Sequence, residues 1–490
     1  MELPLILALD IGSSSVRVSL FDSNAQPLPK MSVKIEHSFT ATKDGGSEMD
    51  AEKALSQITK AVDAILKKSE KVKGEIGYVA SCAFLHSLVG VDAKGKPTTK
   101  VFGWADTRSR KYSAVLKKRF DEKTLHNRTG AHFHSSFWPA KLIWLRREFP
   151  DTFAKTAKWL SFSDFVALRL FGEAATSISM ASATGIFDIR RCIWDSELLK
   201  YLKLKTSSLP SITDTDSTTC TLNKTFAKRW PRLKQAEWFP AIGDGMADNI
   251  GAGCVTKNKA ALMIGTSAAM RVAYKGDPPK NIPDGLWCYR IDRNRVIIGG
   301  ALSDGGNLYA WLKKNLKLPK NAEADMRKRG AAFHGLGFMP FFFGERSTGY
   351  NENAGGAVLG LNSSHDSIDI MQAAMESVAY RFAEIFDQLN SVVKIKQIVA
   401  SGGASRESPV WTQIIADVFG RDLLMNNASE SSSRGAVLLV LESIGKIGSI
   451  ENLSTPEAAK TEYHPKCHKI YKLERKKHGA VYDSLLKRKP

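Results

Sequence analysis

Residues 7–21 of the chain read LALDIGSSSVRVSLF, and residues 260–274 read AALMIGTSAAMRVAY. Aligned end to end, the two stretches place Gly12 on Gly265, and hydroxyl-bearing residues follow both glycines. Each stretch joins two apolar runs through a glycine-hydroxyl turn, a pattern that predicts a β-hairpin. The second copy begins near the middle of the chain. We therefore interpret the two stretches as matching hairpins of two similar domains.

Predicted helices and strands alternate along the rest of the chain. Residues 51–68 and residues 370–389 carry apolar side chains at helical spacing. Residues 75–88 read as a strand and its exit loop. Residues 397–401 (QIVAS) read as a short buried strand, which leads through a glycine pair into another apolar helix. This alternation predicts an α/β protein whose sheets are flanked by helices.

The length of 490 residues exceeds what one hydrophobic core usually supports, so at least two large domains are expected. We predict a linker near residues 248–256. It would divide the chain into an N-terminal domain, residues 1–250, and a C-terminal domain, residues 251–490, which ends in a basic tail.

The charge balance is strongly basic, with 70 Lys and Arg residues against 50 Asp and Glu residues. A net charge of +20 could attract nucleic acid, a membrane surface or small anions. No basic amphipathic helix, zinc-finger spacing or RNA-binding aromatic motif accompanies it. We therefore expect a solvated basic surface that helps to collect anionic substrates, and no nucleic-acid partner.

The six cysteines lie far apart, without the spacing of a zinc site or a disulfide framework. The apolar run within residues 1–9 is too short for a signal peptide or a membrane span. These observations predict a cytoplasmic protein with reduced thiols and no membrane partner. The sequence leaves the oligomeric state open, a homodimer included.

The first hairpin turn has the composition of a phosphate site. Gly12 lets the backbone approach a ligand closely, and successive N–H groups in a tight turn form a concavity that binds anions. Ser13 and Ser14 add hydroxyl donors, and Arg17 could offset phosphate charge. Asp10, at the end of the strand, is suited to hold Mg²⁺ through water. The alternative interpretation is an ordinary hairpin turn.

The second turn favours the phosphate interpretation. Gly265 and Thr266 repeat the glycine-hydroxyl pattern, and two opposed turns could hold one triphosphate from both sides. Gly402 and Gly403 form a third candidate, because a glycine pair between a strand and a helix N-terminus suits a nucleotide. A purely steric role for this glycine pair is the alternative.

Asp244 lies between Gly243 and Gly245, just before the second half of the chain. A carboxylate at the mouth of an interdomain cleft could orient a substrate hydroxyl and accept its proton during phosphoryl transfer. The alternative is a helix N-cap. Asp248 is interpreted as a capping or structural residue.

In this order the motifs resemble those of the FGGY carbohydrate kinases, within the actin-like ATPase superfamily. The resemblance covers about residues 5–445. The matching segments are residues 10–17 and 265–267 (phosphate motifs), residues 243–245 (catalytic base), and residues 305–307 with Trp311-Leu312 and residues 401–404 (adenosine side). The resemblance implies two actin-like (ribonuclease H-like) ATPase domains separated by an interdomain cleft. It also implies ATP and Mg²⁺ as cofactors, Gly306 among the nucleotide-binding residues, and direct phosphoryl transfer with Asp244 as general base.

Four further segments resemble the gluconokinase branch of that family. They are residues 83–88 (AFLHSL), 104–109 (WADTRS), 180–187 (MASATGIF) and 344–347 (GERS). The resemblance implies gluconate as substrate, with xylulose, ribulose or glycerol as alternatives and a non-catalytic sugar sensor as a further one. Departures such as Leu85 for Met and Thr107 for Asn bear on the choice of sugar.

The same resemblance places the sugar in the N-terminal domain and suggests three ligands. His86 could bind a hydroxyl or carboxylate, or be a buried histidine satisfied by the protein. Trp104 could present its ring to the sugar or belong to the core. Asp106 could contact the sugar or form an ion pair with Arg108 that shapes the loop.

Overall fold

The computed structural model describes residues 4–218, 222–426, 430–453 and 459–486. Cys220 and residues 487–490, the end of the predicted basic tail, lie outside the described residues; the preceding basic stretch forms the last helix. The strands of the first half are β1 (Leu5–Ile11), β2 (Ser15–Phe21), β3 (Pro27–Glu36), β4 (Thr40–Ala41), β5 (Ser47–Met49), β6 (Ile76–Ala83), β7 (Val89–Val91), β8 (Val101–Phe102), β9 (Lys158–Leu160), β10 (Ala175–Ser177), β11 (Phe187–Asp188), β12 (Ile193–Trp194), β13 (Ser211–Thr213), β14 (Glu237–Trp238) and β15 (Ile242–Gly243). Its helices are α1 (Ala51–Lys68), α2 (Arg110–Arg119), α3 (Glu122–Thr129), α4 (Trp138–Glu148), α5 (Pro150–Lys155), α6 (Phe162–Phe171), α7 (Ile178–Ser182), α8 (Ser196–Leu202), α9 (Lys224–Arg229) and α10 (Asp244–Gly251).

The second half has the same mixed α/β composition. Its strands are β16 (Lys259–Ile264), β17 (Ala268–Lys275), β18 (Trp287–Asp292), β19 (Arg295–Leu302), β20 (Gly337–Met339), β21 (Ala357–Leu359), β22 (Gln397–Ser401), β23 (Leu423–Met425) and β24 (Ala459–Thr461). Its helices are α11 (Gly306–Asn315), α12 (Ala322–Arg329), α13 (Ser367–Val392), α14 (Gly403–Glu407), α15 (Pro409–Phe419), α16 (Ser431–Ser443) and α17 (Pro465–Leu486).

Each half is built on one mixed sheet. The first sheet has the order β14-β6-β1-β2-β3, with β15 also paired to β6, and the second has the order β24-β23-β22-β16-β17-β19-β18. In both sheets a hairpin (β1–β2, β16–β17) is antiparallel, and its first strand pairs in parallel with a later strand (β6, β22). The shared topology confirms the repeat predicted from residues 7–21 and 260–274.

The two hairpin turns differ by one residue. The N–H of Gly12 donates to the carbonyl oxygen of Ser15 at 2.9 Å, whereas the N–H of Gly265 donates to that of Ser267 at 3.0 Å. The last paired residues before the turn are accordingly Ile11 and Val16 in the first hairpin, and Ile264 and Ala268 in the second. The second turn is thus one residue shorter. The repeat is therefore structural but not identical.

Several predicted elements are confirmed. Helix α1 has the predicted bounds and begins at a cap, where the Asp50 side chain accepts from the N–H of Lys53. Helix α13 extends the predicted helix at both ends, because Asp366 and Asp369 form a capping box before its apolar run. The predicted linker near residues 248–256 begins inside a helix: α10 continues through Gly251, and residues 252–258 then connect it to β16. Residues 249 and 254 are fully buried.

Helices α10 and α16 cross between the two sheets and join the halves of the chain. A Cβ atom on Gly435 of α16 would overlap the carbonyl oxygen of Ala247, and one on Gly251 of α10 would overlap that of Ser431. Glycine is therefore required at both positions for the backbones to touch. Helix α16 also packs against β1 and β6, so that the second half supplies part of the first half's core.

We expect Gly435→Ala to destabilise the protein by about 1–3 kcal/mol, because the added methyl group forces the two helices apart. Chemical unfolding followed by circular dichroism measures the effect. Gly479→Ala is the matched control, since Gly479 lies in helix α17 with no atom near its would-be Cβ. That variant should be unchanged or gain up to about 1 kcal/mol from helix propensity. Equal stability of the two variants would contradict a close crossing.

Candidate active site

A cavity of about 360 Å³ lies between the two halves and is lined by both hairpin turns. The first turn contributes Ser13 and Ser14, and the second contributes Thr266 and Ser267. Asp244 lines the same cavity. The lining is completed on one side by His86, Trp104 and Phe137, and on the other by Arg271, Tyr289, Arg346 and Tyr350.

Asp244 reaches the cavity from the first turn of α10. Strand β15 pairs with β6 and ends at Gly243, which is the N-cap of the helix. A side chain on Gly243 would meet the side chains of Leu85 and Met246, which would have to move aside. The Asp244 Oδ1 atom accepts a hydrogen bond from the N–H of Gly245 at 2.7 Å. The carboxylate is thus held at a helix N-terminus and is partly open to the cavity.

Acidic groups are concentrated beside the first turn. Burial and the charge of Asp10 together raise the pKa of Asp244 to about 7, against the lowering effect of Arg271. Burial likewise raises the pKa of Asp10 to about 6, against the lowering effects of a hydrogen bond from Cys82 and of the Arg17 charge. Asp248 repels both carboxylates. A cluster of mutually repelling carboxylates is a fitting donor set for a divalent cation.

Arg271 connects the second hairpin to the helix that carries Asp244. Its Nη1 atom donates to the carbonyl oxygen of Gly245 at 2.9 Å and to Oδ1 of Asn249 at 3.2 Å, and lies 3.3 Å from Oδ2 of Asp248. Sequence reasoning missed this residue. Its signal was an arginine inside an otherwise apolar strand, at the position where the first hairpin has Val18.

His86 and Trp104 lie on the cavity wall. His86 has a left-handed backbone, with a φ of 64°. Its Nδ1–H donates to the carbonyl oxygen of Ala183 at 2.7 Å, and burial lowers the pKa of the ring to about 3. The imidazole is therefore neutral, and its Nε2 atom is an acceptor. The Arg346 guanidinium lies 4.5 Å from the Trp104 ring centroid, which joins the two halves at the cavity.

Asp106 requires a correction. It is 1% exposed and does not belong to the cavity lining. Its Oδ2 atom accepts from Nη2 of Arg108 at 2.6 Å and from the N–H of Ser47 at 3.1 Å. Asp106 therefore forms the ion pair with Arg108, which was the alternative to a sugar contact. This pair shapes the loop that carries Trp104.

Arg346 and its neighbour Glu345 have opposite environments. Glu345 is buried and held by Arg381 and by the hydroxyl of Tyr482 at 2.8 Å. Arg346 donates from Nη2 to the carbonyl oxygen of Leu302 at 3.0 Å, and among the described residues it has no carboxylate within ion-pair distance. Burial lowers its pKa to about 10, so the guanidinium remains charged at neutral pH. The cavity thus contains a cation that could bind an anion.

The other predicted nucleotide residues surround the second turn. The N–H of Gly306 donates to the carbonyl oxygen of Gly265 at 2.8 Å. Gly402 has a φ of 106°, and a Cβ there would overlap Ile264, so close packing explains this glycine. Gly403 begins helix α14 and faces open space. None of these residues lines the cavity between the turns.

Arg17 lies on the strand that leaves the first turn, away from the cavity lining. Its Nε atom is 3.8 Å from Oε1 of Glu430, just before α16. Arg17 therefore forms an ion pair with a carboxylate from the other half of the chain.

Family models match nearly the whole chain. The N-terminal domain model of the FGGY family of carbohydrate kinases matches residues 5–251, and the C-terminal domain model matches residues 260–441. This chain belongs to the FGGY family. An FGGY kinase phosphorylates a small sugar with ATP, and the enzyme class and two-domain actin-like fold implied by the sequence are confirmed.

The FGGY relatives include kinases for several sugars. A gluconokinase of Bacillus licheniformis is 26% identical over 481 residues, covering 94% of this chain and 92% of the relative. A xylulose kinase of Staphylococcus xylosus is 23% identical over 439 residues, covering 89% and 90%. The solved gluconate kinase of Lactobacillus acidophilus superposes with a TM-score of 0.90 at 24% identity, covering 99% of this chain and 98% of that chain. In the described part of this FGGY kinase, no helix is both long and apolar enough to span a membrane.

We expect Asp244→Asn to make the ligand-free kinase more stable at pH 8, but not at pH 5. An Asp whose pKa is raised on folding stabilises the native state at low pH, and that contribution is lost as pH rises toward about 7. Asparagine keeps the acceptor for Gly245 without the buried charge. Melting temperatures at both pH values provide the measurement, with Asp284→Asn, at an exposed position, as control. Lower stability of Asp244→Asn at pH 8 would refute a destabilising carboxylate.

Proposed function

We propose that this FGGY kinase transfers the γ-phosphoryl group of ATP directly to a hydroxyl of gluconate, with Asp244 as general base. The observation that carries the proposal is the shared cavity, where Asp244 meets both hairpin turns and the His86–Trp104 wall. A general base works best when its pKa lies near the working pH, and that of Asp244 is raised to about 7. The reaction is proposed to take place in the cytoplasm.

In this proposal the sugar binds to residues 1–250 and the nucleotide mainly to residues 251–490. His86 accepts a sugar hydroxyl through Nε2, and Trp104 covers an apolar face. Ser13, Ser14 and Thr266 bind the phosphates together with the backbone of Gly12 and Gly265. The adenosine part of ATP lies beside Gly306, Gly402 and Gly403. The solved glycerol kinase of Plasmodium falciparum with ADP has the same fold, with a TM-score of 0.85 at 21% identity.

Mg²⁺ fits the group of carboxylates beside the first hairpin turn. Asp10 would hold it, either directly or through water, because the charges of Asp10, Asp244 and Asp248 act on one another and Arg17 offsets them only in part. The ion would offset charge on the phosphates during transfer. Arg17 forms an ion pair with Glu430, and we propose that it reaches the phosphates only when this ion pair separates.

Arg346 supports an anionic sugar over a neutral one. Its guanidinium lies beside Trp104 without a carboxylate partner in the described chain, and a guanidinium matches a carboxylate in shape as well as charge. The carboxylate of gluconate could meet Arg346 while a hydroxyl at the other end of the sugar reaches Asp244. Two gluconokinases among the relatives agree with this assignment.

Asp244→Asn should lower turnover by a factor of about 100 to 10,000, because no group would then accept the hydroxyl proton. Nucleotide binding should persist, since both turns remain. ADP release measures turnover, and calorimetric titration measures nucleotide affinity. Turnover within a factor of about three of wild type would remove Asp244 from the role of base.

Arg346→Gln should raise the KM for gluconate about 10- to 100-fold, the loss expected for a charge-assisted hydrogen bond. Neutral polyols and ketoses, if accepted at all, should lose much less. Arg147→Gln, at an exposed position, is the matched control. ADP release is measured across aldonic acids, xylulose, ribulose and glycerol. Faster turnover of a neutral sugar by the wild-type enzyme would overturn gluconate as the substrate.

A further inference from the structure

Three potential metal ligands meet where helix α17 begins beside the end of α15. They are Asp417 of α15, His464 immediately before α17, and Cys467 in its first turn. One ligand atom from each lies within 4.8 Å of the other two. Cysteine spacing alone had suggested no zinc site. The fold changes that conclusion because it brings Asp417 to a histidine 47 residues away.

Hydrogen bonds orient the Asp417 carboxylate toward this cluster. Its Oδ1 atom accepts from the backbone N–H of His464 at 2.6 Å and from Nε2 of Gln413 at 2.9 Å. Its Oδ2 atom faces Nδ1 of His464 at 3.2 Å. One carboxylate oxygen is thus fixed by the protein, while the other is directed at the imidazole. Such hydrogen bonds around a ligand orient it for a metal.

We propose that Asp417, His464 and Cys467 bind one Zn²⁺, with water in the fourth position. Tetrahedral zinc with bonds of about 2.0–2.3 Å requires ligand atoms roughly 3.3–3.7 Å apart, so only small shifts of the side chains are needed. The carboxylate is buried and fixed, whereas the imidazole is 62% exposed, so solvent can reach the ion. Thiolate, imidazole and carboxylate are all zinc donors.

The neighbouring groups define the ligand set. The Nδ1 atom of His468 contacts the carbonyl oxygen of Asp417 at 2.9 Å, and its ring packs against Gly420, so His468 is not a ligand. Burial and the Asp417 charge raise the pKa of Cys467, so zinc binding releases a proton from the thiol. The Gln413 amide, 3.1 Å from Nδ1 of His464, gives way as the ring turns to the ion.

The proposed role is structural, because the ion would fasten α17 to α15. Farther along α17, the hydroxyl of Tyr471 donates to Glu376 at 3.0 Å, and Tyr482 donates to Glu345. Glu345 directly precedes Arg346 at the cavity. Zinc would thus stabilise the helix that supports this loop, without taking part in phosphoryl transfer.

The test uses the full chain after removal of metal with a chelator. Co²⁺ is the spectroscopic probe, because a thiolate ligand produces a charge-transfer band in the near ultraviolet. Wild type should bind one equivalent with this band, and its melting temperature should rise with Zn²⁺ concentration. Cys467→Ser and His464→Gln should weaken binding at least tenfold and lose the Zn²⁺-dependent rise. Cys192→Ser, at a described cysteine outside the cluster, is the control and should keep both the band and the Zn²⁺-dependent rise.

Two further measurements keep the result interpretable. Metal-free Cys467→Ser should melt near metal-free wild type, which shows that the variant folds. Its ADP release with Mg-ATP should be unchanged, so failure of the zinc site is distinct from failure of the proposed kinase function. Absence of the thiolate band in wild type, or its persistence in Cys467→Ser, would overturn the proposal.

Discussion

The backbone contact between helices α10 and α16 is the constraint on which the rest of the structure depends. Gly251 and Gly435 permit this contact, and any side chain there would meet a carbonyl oxygen of the other helix. Since α10 begins with Asp244, the crossing also sets where the carboxylate lies relative to both hairpin turns. Helix α10 therefore both joins the two halves and carries the carboxylate that lines the cavity.

The buried carboxylates at the cavity lower the stability of the fold, but their raised pKa values suit the proposed proton transfer. Burial raises the pKa of both Asp10 and Asp244, and repulsion from Asp248 adds to the rise in each; the charge of Asp10 also adds to the rise in Asp244. Arg271 partly offsets that repulsion and holds the start of α10 through three contacts. Arg346 adds a positive charge to the cavity lining, and no carboxylate of the described residues lies within ion-pair distance of it. The cavity lining thus carries charges of both signs.

The sequence predicted those features that depend on local pattern. Both hairpins, α1 and the strand at residues 397–401 follow from apolar periodicity and turn composition, and the structure has them. The same reasoning placed a linker near residues 248–256. Its first part belongs to helix α10, in which Gly251 makes the backbone contact with α16, and residues 252–258 connect α10 to β16. The roles of Arg271 and Arg346 could not be identified, since each depends on contacts between segments far apart in the chain.

The stacking of Arg346 on Trp104 has a consequence for how the two halves can move. The pair spans the boundary between the halves, with the indole on one side and the guanidinium on the other. Any displacement of one half relative to the other must either separate the two groups or carry both along. The shape of this part of the cavity is therefore coupled to the arrangement of the halves.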